Sequence, residues 1–184
     1  MTCVVGVVDE GRVILGADSA GSGEDNEIYS ISERKVFARG PYLFGITGSY
    51  RLGELLHLKA ALPDLPDDHD LKPFLVHEFI PAVADTVRKD HLAREGPEIL
   101  GPKTGFLLGI RGSLWCVTSD LTVFRAGSFA SIGSGRLRAY PVLHALEAAG
   151  VKPAKRRLEL ALDATYAYTS DVRRPWQFVE SDRT

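Results

Sequence analysis

Residues 1–20 read MTCVVGVVDEGRVILGADSA, and their pattern sets the fold. Cys3 to Val8 is an apolar run, Glu10-Gly11 is a turn signal, and Arg12 to Ala17 is a second apolar run. Two such runs joined by a tight turn predict a β-hairpin. Thr2 stands at the head of its first strand. With Met1 removed, that strand would hold a free amine and a hydroxyl rigidly together on one residue.

Working outward, Ser19 to Ser30 (SAGSGEDNEIYS) is small and polar and reads as a surface loop. Lys35 to Ala38 and Tyr42 to Ile46 flank Gly40-Pro41 and predict a second hairpin. Leucines at 52, 55, 56, 58 and 62 follow at roughly helical spacing, so a helix is expected from about Ser49 to Ala61, with Ser49 as its cap. Pro63 to Asp70 is a proline- and aspartate-rich connector, after which Leu75, Phe79, Val83 and Val87 carry a helical face to about Leu92. Four strands are predicted over Thr104–Ile110, Leu114–Thr118, Leu121–Arg125 and Phe129–Ile132. Helices are expected from Gly133-Ser134-Gly135 to Gly150 and from about Pro153 to Tyr168, and a last strand includes Trp176 to Val179. No repeat is visible, and the connector is too short to separate domains, so residues 1–184 are expected to form one domain. Helix pairs flanking two antiparallel sheets would bury both faces of each. The expected class is α+β, a four-layer α-β-β-α sandwich.

Composition narrows the function. A chain of 184 residues can bury about 70% of the surface its unfolded form exposes, enough for one full core. A formal charge of −2 gives no electrostatic reason to expect nucleic acid or an anionic membrane as partner. Cys3 and Cys116 lack metal-ligand spacing and read as buried thiols in a reducing compartment, so no metal is expected. No apolar run approaches the ~20 residues that span a bilayer, and no secretory signal pattern opens the chain, so the cytoplasm is expected. His77-Glu78 begins like a zinc-protease helix, but Pro81 occupies the place of the second histidine. A G-x-x-x-x-G-K-[ST] loop is absent, so ATP hydrolysis by that route is excluded. The basic run Lys152 to Arg157 reads as a solvated helix start.

Thr2 opening a strand, Gly16-Ala17-Asp18 closing the next, Lys35-Val36, Gly45-Ile46-Thr47-Gly48 before a helix, and Ile132-Gly133-Ser134-Gly135 opening another together resemble a proteasome β-type subunit. The resemblance is nearest to the short bacterial homologues such as the peptidase of the heat-shock locus, and it covers essentially the whole chain. It implies an N-terminal-nucleophile hydrolase, a threonine-type endopeptidase that cleaves unfolded polypeptide inside homo-oligomeric rings, served by a separate ATP-dependent unfoldase and using no cofactor. Position by position, it makes Thr2 the nucleophile, Lys35 and Asp18 its charged neighbours, Gly48 a backbone oxyanion donor and Ser134 a supporting hydroxyl. Ile46 and the loop at Gly21 to Gly23 would line the substrate pocket by the same analogy. Two departures stand out. Ala167 sits where the family usually has Asp, with Ser170 in place three residues later, and the segment between Asp18 and Lys35 is about one residue longer than in the bacterial relatives.

The chemistry asks for these residue types. A hydroxyl needs a base within reach, and a terminal amine on the same residue is tethered there covalently. With a reference pKa of about 7.7 to 8.0, part of that amine is neutral at pH 7, and a positive Lys35 would enlarge the neutral fraction. Asp18 would keep Lys35 charged and oriented. Lys35 itself is the alternative proton acceptor, and the sequence does not choose between the two. A retained Met1 would turn the amine into a non-basic amide. Two other functions use the same residues: a catalytically silent ring subunit, favoured by Ala167, and a hydrolase of the same mechanism acting on a small amide.

Overall fold

The computed structural model describes residues 2–22, 28–67, 70–96 and 98–181. Met1 and Gly23, each part of an expectation above, lie outside them. The opening stretch forms the expected hairpin, β1 (Cys3–Asp9) and β2 (Arg12–Ala17), with Gly6 opposite Leu15 and Asp9 opposite Arg12. Two short strands follow, β3 (Ala20–Ser22) and β4 (Ile28–Ser30), paired antiparallel within the segment expected to be a loop. Backbone pairing made this element in a stretch whose side chains carry almost no apolar pattern.

The hairpin of β5 (Val36–Arg39) and β6 (Tyr42–Thr47) is followed by α1 over residues 50–59, capped by the Ser49 hydroxyl, which accepts from the Leu52 N–H at 3.3 Å. Its second half, Leu55–Lys59, widens into a π turn in which the Ala60 N–H donates to the Leu55 carbonyl at 2.7 Å. Helix α2 covers residues 71–89, starts on an Asp70 cap and contains a second π turn over Leu75–Phe79. Strands β7 (Gly105–Ile110), β8 (Ser113–Val117), β9 (Val123–Arg125) and β10 (Phe129–Gly133) come next. Helices α3 (Arg136–Ala148) and α4 (Ala154–Ala167) and the final strand β11 (Gln177–Glu180) complete the order.

Among the described residues the strands form a four-stranded sheet, β10-β1-β2-β11, a five-stranded sheet, β5-β6-β7-β8-β9, and the small β3-β4 pair. Side-chain alternation then sorts the core into three slabs. Cys3, Val5 and Val7 of β1 pack with Leu143, Leu158 and Leu162 of α3 and α4. Val4 faces the other way and packs with Leu15, Val36, Leu43, Leu107 and Leu114 between the two sheets. Phe44, Ile46, Phe106 and Leu108 meet Leu52, Leu56, Phe79 and Val83 of α1 and α2. These are the four layers, helices, sheet, sheet, helices, of the expected α+β sandwich.

The two sheets approach closely because glycines occupy their facing sides. A Cβ on Gly45 would lie 2.6 Å from Val4 Cγ1, one on Gly6 would lie 3.2 Å from Leu114 Cδ1, and one on Gly109 would lie 2.9 Å from Val13 Cγ1. Pressed together, the sheets bring the ends of β1 and β2 beside the lead-in to β5, where the candidate site forms.

Candidate active site

Thr2 precedes β1 and is 7% exposed. Strand β10 runs beside it, with Gly133 opposite Cys3, and continues into Ser134 at the start of α3. The Ser134 hydroxyl accepts from the Thr2 N–H at 3.3 Å and lies 3.3 Å from the Thr2 carbonyl, to which it donates. The Gly135 N–H donates to that same carbonyl. Thr2 is therefore fixed through its backbone, and its side chain borders a cavity.

Asp18 follows directly on β2 and has no exposed surface. Its Oδ1 accepts from the Cys3 N–H at 2.9 Å and from Lys35 Nζ at 3.0 Å, and its Oδ2 accepts from the Ala20 N–H at 3.0 Å. The adjacent Ser19 donates its N–H to the Arg173 carbonyl at 2.9 Å. One carboxylate thus joins the residue after Thr2, the lysine, and the start of β3. A buried charge is tolerated only when paired and hydrogen-bonded, and this pair is both. Burial lowers the Lys35 ammonium below the ordinary lysine value of 10.5, while the Asp18 charge and hydrogen bond act in the opposite direction.

Thr2, Lys35, Thr47 and Gly48 border a cavity of about 590 Å³. Its walls come from Phe37, Ile46, Tyr50, Gly53, His57 and Leu58, with Glu33, Arg34 and Glu54 also lining it. His57 lies in the π turn of α1 and stacks on Phe37, with ring centroids 4.5 Å apart. Gly48 ends the strand that carries Ile46 with φ of +87°, and a Cβ there would come within 2.5 Å of Thr104 Oγ1. Only glycine makes this turn without strain.

Five of the six residues expected to act, Thr2, Asp18, Lys35, Gly48 and Ser134, gather at this one place, as does Ile46. Ser170 does not: it is exposed, and its hydroxyl donates to Asp171 Oδ1 at 2.6 Å. Gly21 is buried in β3 but is not among the cavity residues. Three contributors had no signal in the sequence. The Arg173 carbonyl acts through the backbone, Thr165 is wholly buried beside Cys3, and Gln177 bonds Lys35 across 142 positions. Among the described residues no group of three or more His, Cys, Asp or Glu could hold a metal ion, and no helix is long and apolar enough to cross a membrane.

No protein-family model matches the chain, and no curated protein matches it by sequence. Solved structures do. BPH of Thiobacillus denitrificans, solved in complex with epoxomicin, is similar with a TM-score of 0.81 at 19% identity, covering 100% of both chains. The eukaryotic HslV of Trypanosoma brucei gives 0.71 at 14% identity over 97% of this chain and 98% of that one. Anbu, the ancestral beta-subunit from Yersinia bercovieri, gives 0.69 at 14% identity over 98% and 81%. The chain has the fold shared by these proteasome-type N-terminal nucleophile hydrolases.

Proposed function

We propose that the chain is a threonine-type endopeptidase, a subunit of a homo-oligomeric, proteasome-like ring, and that Thr2 is its nucleophile once Met1 is removed. One observation carries this reading: the buried Asp18–Lys35 pair, with the same Asp18 oxygen bonded to the backbone of the residue after Thr2. A buried ion pair of this kind, placed one residue from Thr2 and beside the cavity, serves a nucleophile whose proton must leave, in addition to tying down the Cys3 and Ala20 backbone.

In this reading the Thr2 hydroxyl adds to a peptide carbonyl as the Thr2 amine, or Lys35, takes the proton. The charge that develops on the carbonyl oxygen is met by the Gly48 N–H, a donor worth on the order of 3 kcal/mol. The C–N bond then breaks, the proton goes to the departing amine, and an ester remains on Thr2. Water adds to that ester, the acid leaves, and the hydroxyl recovers its hydrogen. The largely apolar cavity walls suit a large apolar or aromatic side chain on the acyl side of the cleaved bond, with Ile46 and the Phe37–His57 stack against it. Polypeptide is the substrate class, an ATP-dependent unfoldase supplies it, and the cytoplasm is the compartment. Neither metal nor organic cofactor takes part in these steps.

The placement of Ser170, turned to Asp171, together with Ala167 favours a second reading, a ring subunit without peptidase activity. Turnover of casein and of fluorogenic peptides by the wild type and by Thr2→Ala separates the two. The proposal expects loss of 100-fold or more, about the scale set by removing a nucleophile. Equal turnover by the two proteins, or none by either after Met1 removal, contradicts it.

A further inference from the structure

Lys35 is useful only while it is held at Asp18, and the residue that holds it lies at the far end of the chain. Strand β5 is an edge strand, and Lys35 immediately precedes it. On its inner side the Lys35 carbonyl accepts from the Ile46 N–H at 2.8 Å. On its outer side, among the described residues, no further strand belongs to the five-stranded sheet, and without another partner the Lys35 N–H would be an orphan donor. Gln177 fills that place. Its Oε1 accepts from the Lys35 N–H at 2.9 Å, and its Nε2 donates to the Glu33 carbonyl at 3.3 Å. A side-chain amide can accept and donate at once, so it stands in for the peptide unit of a missing strand.

The backbone of Gln177 has a different attachment. In the other sheet it pairs with Ala17, the residue before Asp18. One residue therefore ladders to the end of the strand that presents Asp18 and grips, through its side chain, the segment that presents Lys35. We propose that Gln177 is a positioning residue that keeps the Lys35 ammonium on Asp18 by tying the lead-in of β5 to the end of β2. Loss of that tie frees the segment at 33–35 to move outward and admits water to Nζ. Because burial is the main cause of the lowered Lys35 midpoint, with Asp18, the Cys3 thiol and, once Met1 is removed, the Thr2 amine as the other titratable groups near it, hydration moves the midpoint upward.

The proposal rests on the reading of Lys35 as partner to Thr2, but its test reads Lys35 directly. Protein labelled with ¹³Cε-lysine is titrated by NMR as wild type, Gln177→Met and Gln177→Ala. The methionine variant keeps the volume and removes both hydrogen bonds, so it guards against a failure to fold in the alanine variant. The expected result is an upward move of the Lys35 midpoint in both variants, and a labelling rate of Thr2 by a peptide epoxyketone reduced about tenfold per active site, with its pH dependence moved the same way. A role limited to closing the sheet edge would lower the unfolding midpoint and leave the Lys35 titration in place, and that result overturns the proposal. A wild-type protein that never labels at Thr2 refutes the peptidase reading, while the Lys35 titration still decides the role of Gln177.

Discussion

Asp18 exposes no surface, and its two oxygens serve Cys3, Ala20 and Lys35, so it is the residue through which the candidate site is most easily broken. Asp18→Asn leaves a buried ammonium without its counter-charge, and the expected loss of stability, read by urea unfolding, is about 3–5 kcal/mol together with loss of activity. The Lys35 midpoint is lowered in the fold, so from that lowered value up to the ordinary 10.5 the unfolded chain holds more protons than the folded one. Stability relative to Lys35→Met must therefore rise with pH across that window, and urea unfolding of both proteins between pH 8 and 10.5 checks the sign. Burial pushes the Cys3 thiol up to about 12 and the Cys116 thiol to about 11. Neither is expected to react with Ellman's reagent at pH 8 until the chain is unfolded. Thr2, Asp18, Lys35, Gly48 and Ser134 were singled out through the resemblance to proteasome β-type subunits, whose short motifs fall where strands begin or end in this sequence. Gln177, the Arg173 carbonyl and Thr165 were not, because a bond that spans most of the chain leaves no local pattern. The exposed position of Ser170 was also hidden, since a loop that follows a helix carries no periodicity to orient it.

At the scale of elements, the facing glycines make a claim that can be measured. A Cβ on Gly45 would press on Val4, so Gly45→Ala is expected to cost about 1–3 kcal/mol by forcing the sheets apart. Val4→Ala alone leaves a small cavity, but combined with Gly45→Ala it gives the new methyl room. The double variant should be more stable than the sum of the two losses, a coupling that unfolding of all four proteins reads directly. The apolar runs of β1 and β6 with the turns beside them and the leucine spacing of α1 were visible in the sequence, and each of these elements lies within a few residues of its expected place. Strand β3 and strand β4 were not visible, because the sequence from Ser19 to Ser30 carries no apolar alternation to mark them. The π turns in α1 and α2 were likewise hidden: leucines at 52, 55 and 56 fit an ordinary helix, and the widened turn shows only in the Ala60 to Leu55 bond. Sheet order also lay beyond the sequence, since β1 pairs with β10 across more than a hundred residues.

For the whole molecule, three core slabs are filled by residues chosen for size and apolarity, and this is why the fold persists among solved structures that share only 14–19% of its sequence. The same freedom means that the fold does not decide activity; the site residues do. The ring proposed above predicts a native mass spectrum dominated by a multi-subunit species, and a chain that stays monomeric at all concentrations removes the chamber from the account. The central claim is narrower, that Thr2 carries both the attacking oxygen and a free amine. An epoxyketone tests both at once, because its ketone takes the hydroxyl and its epoxide takes the amine, with no leaving group. Intact-mass analysis of protein isolated from its own cell, then treated with the probe, should show a chain that begins at Thr2 and gains the mass of one whole probe molecule on that residue. A chain that retains residues ahead of Thr2 and gains no mass, while still digesting casein, would contradict it.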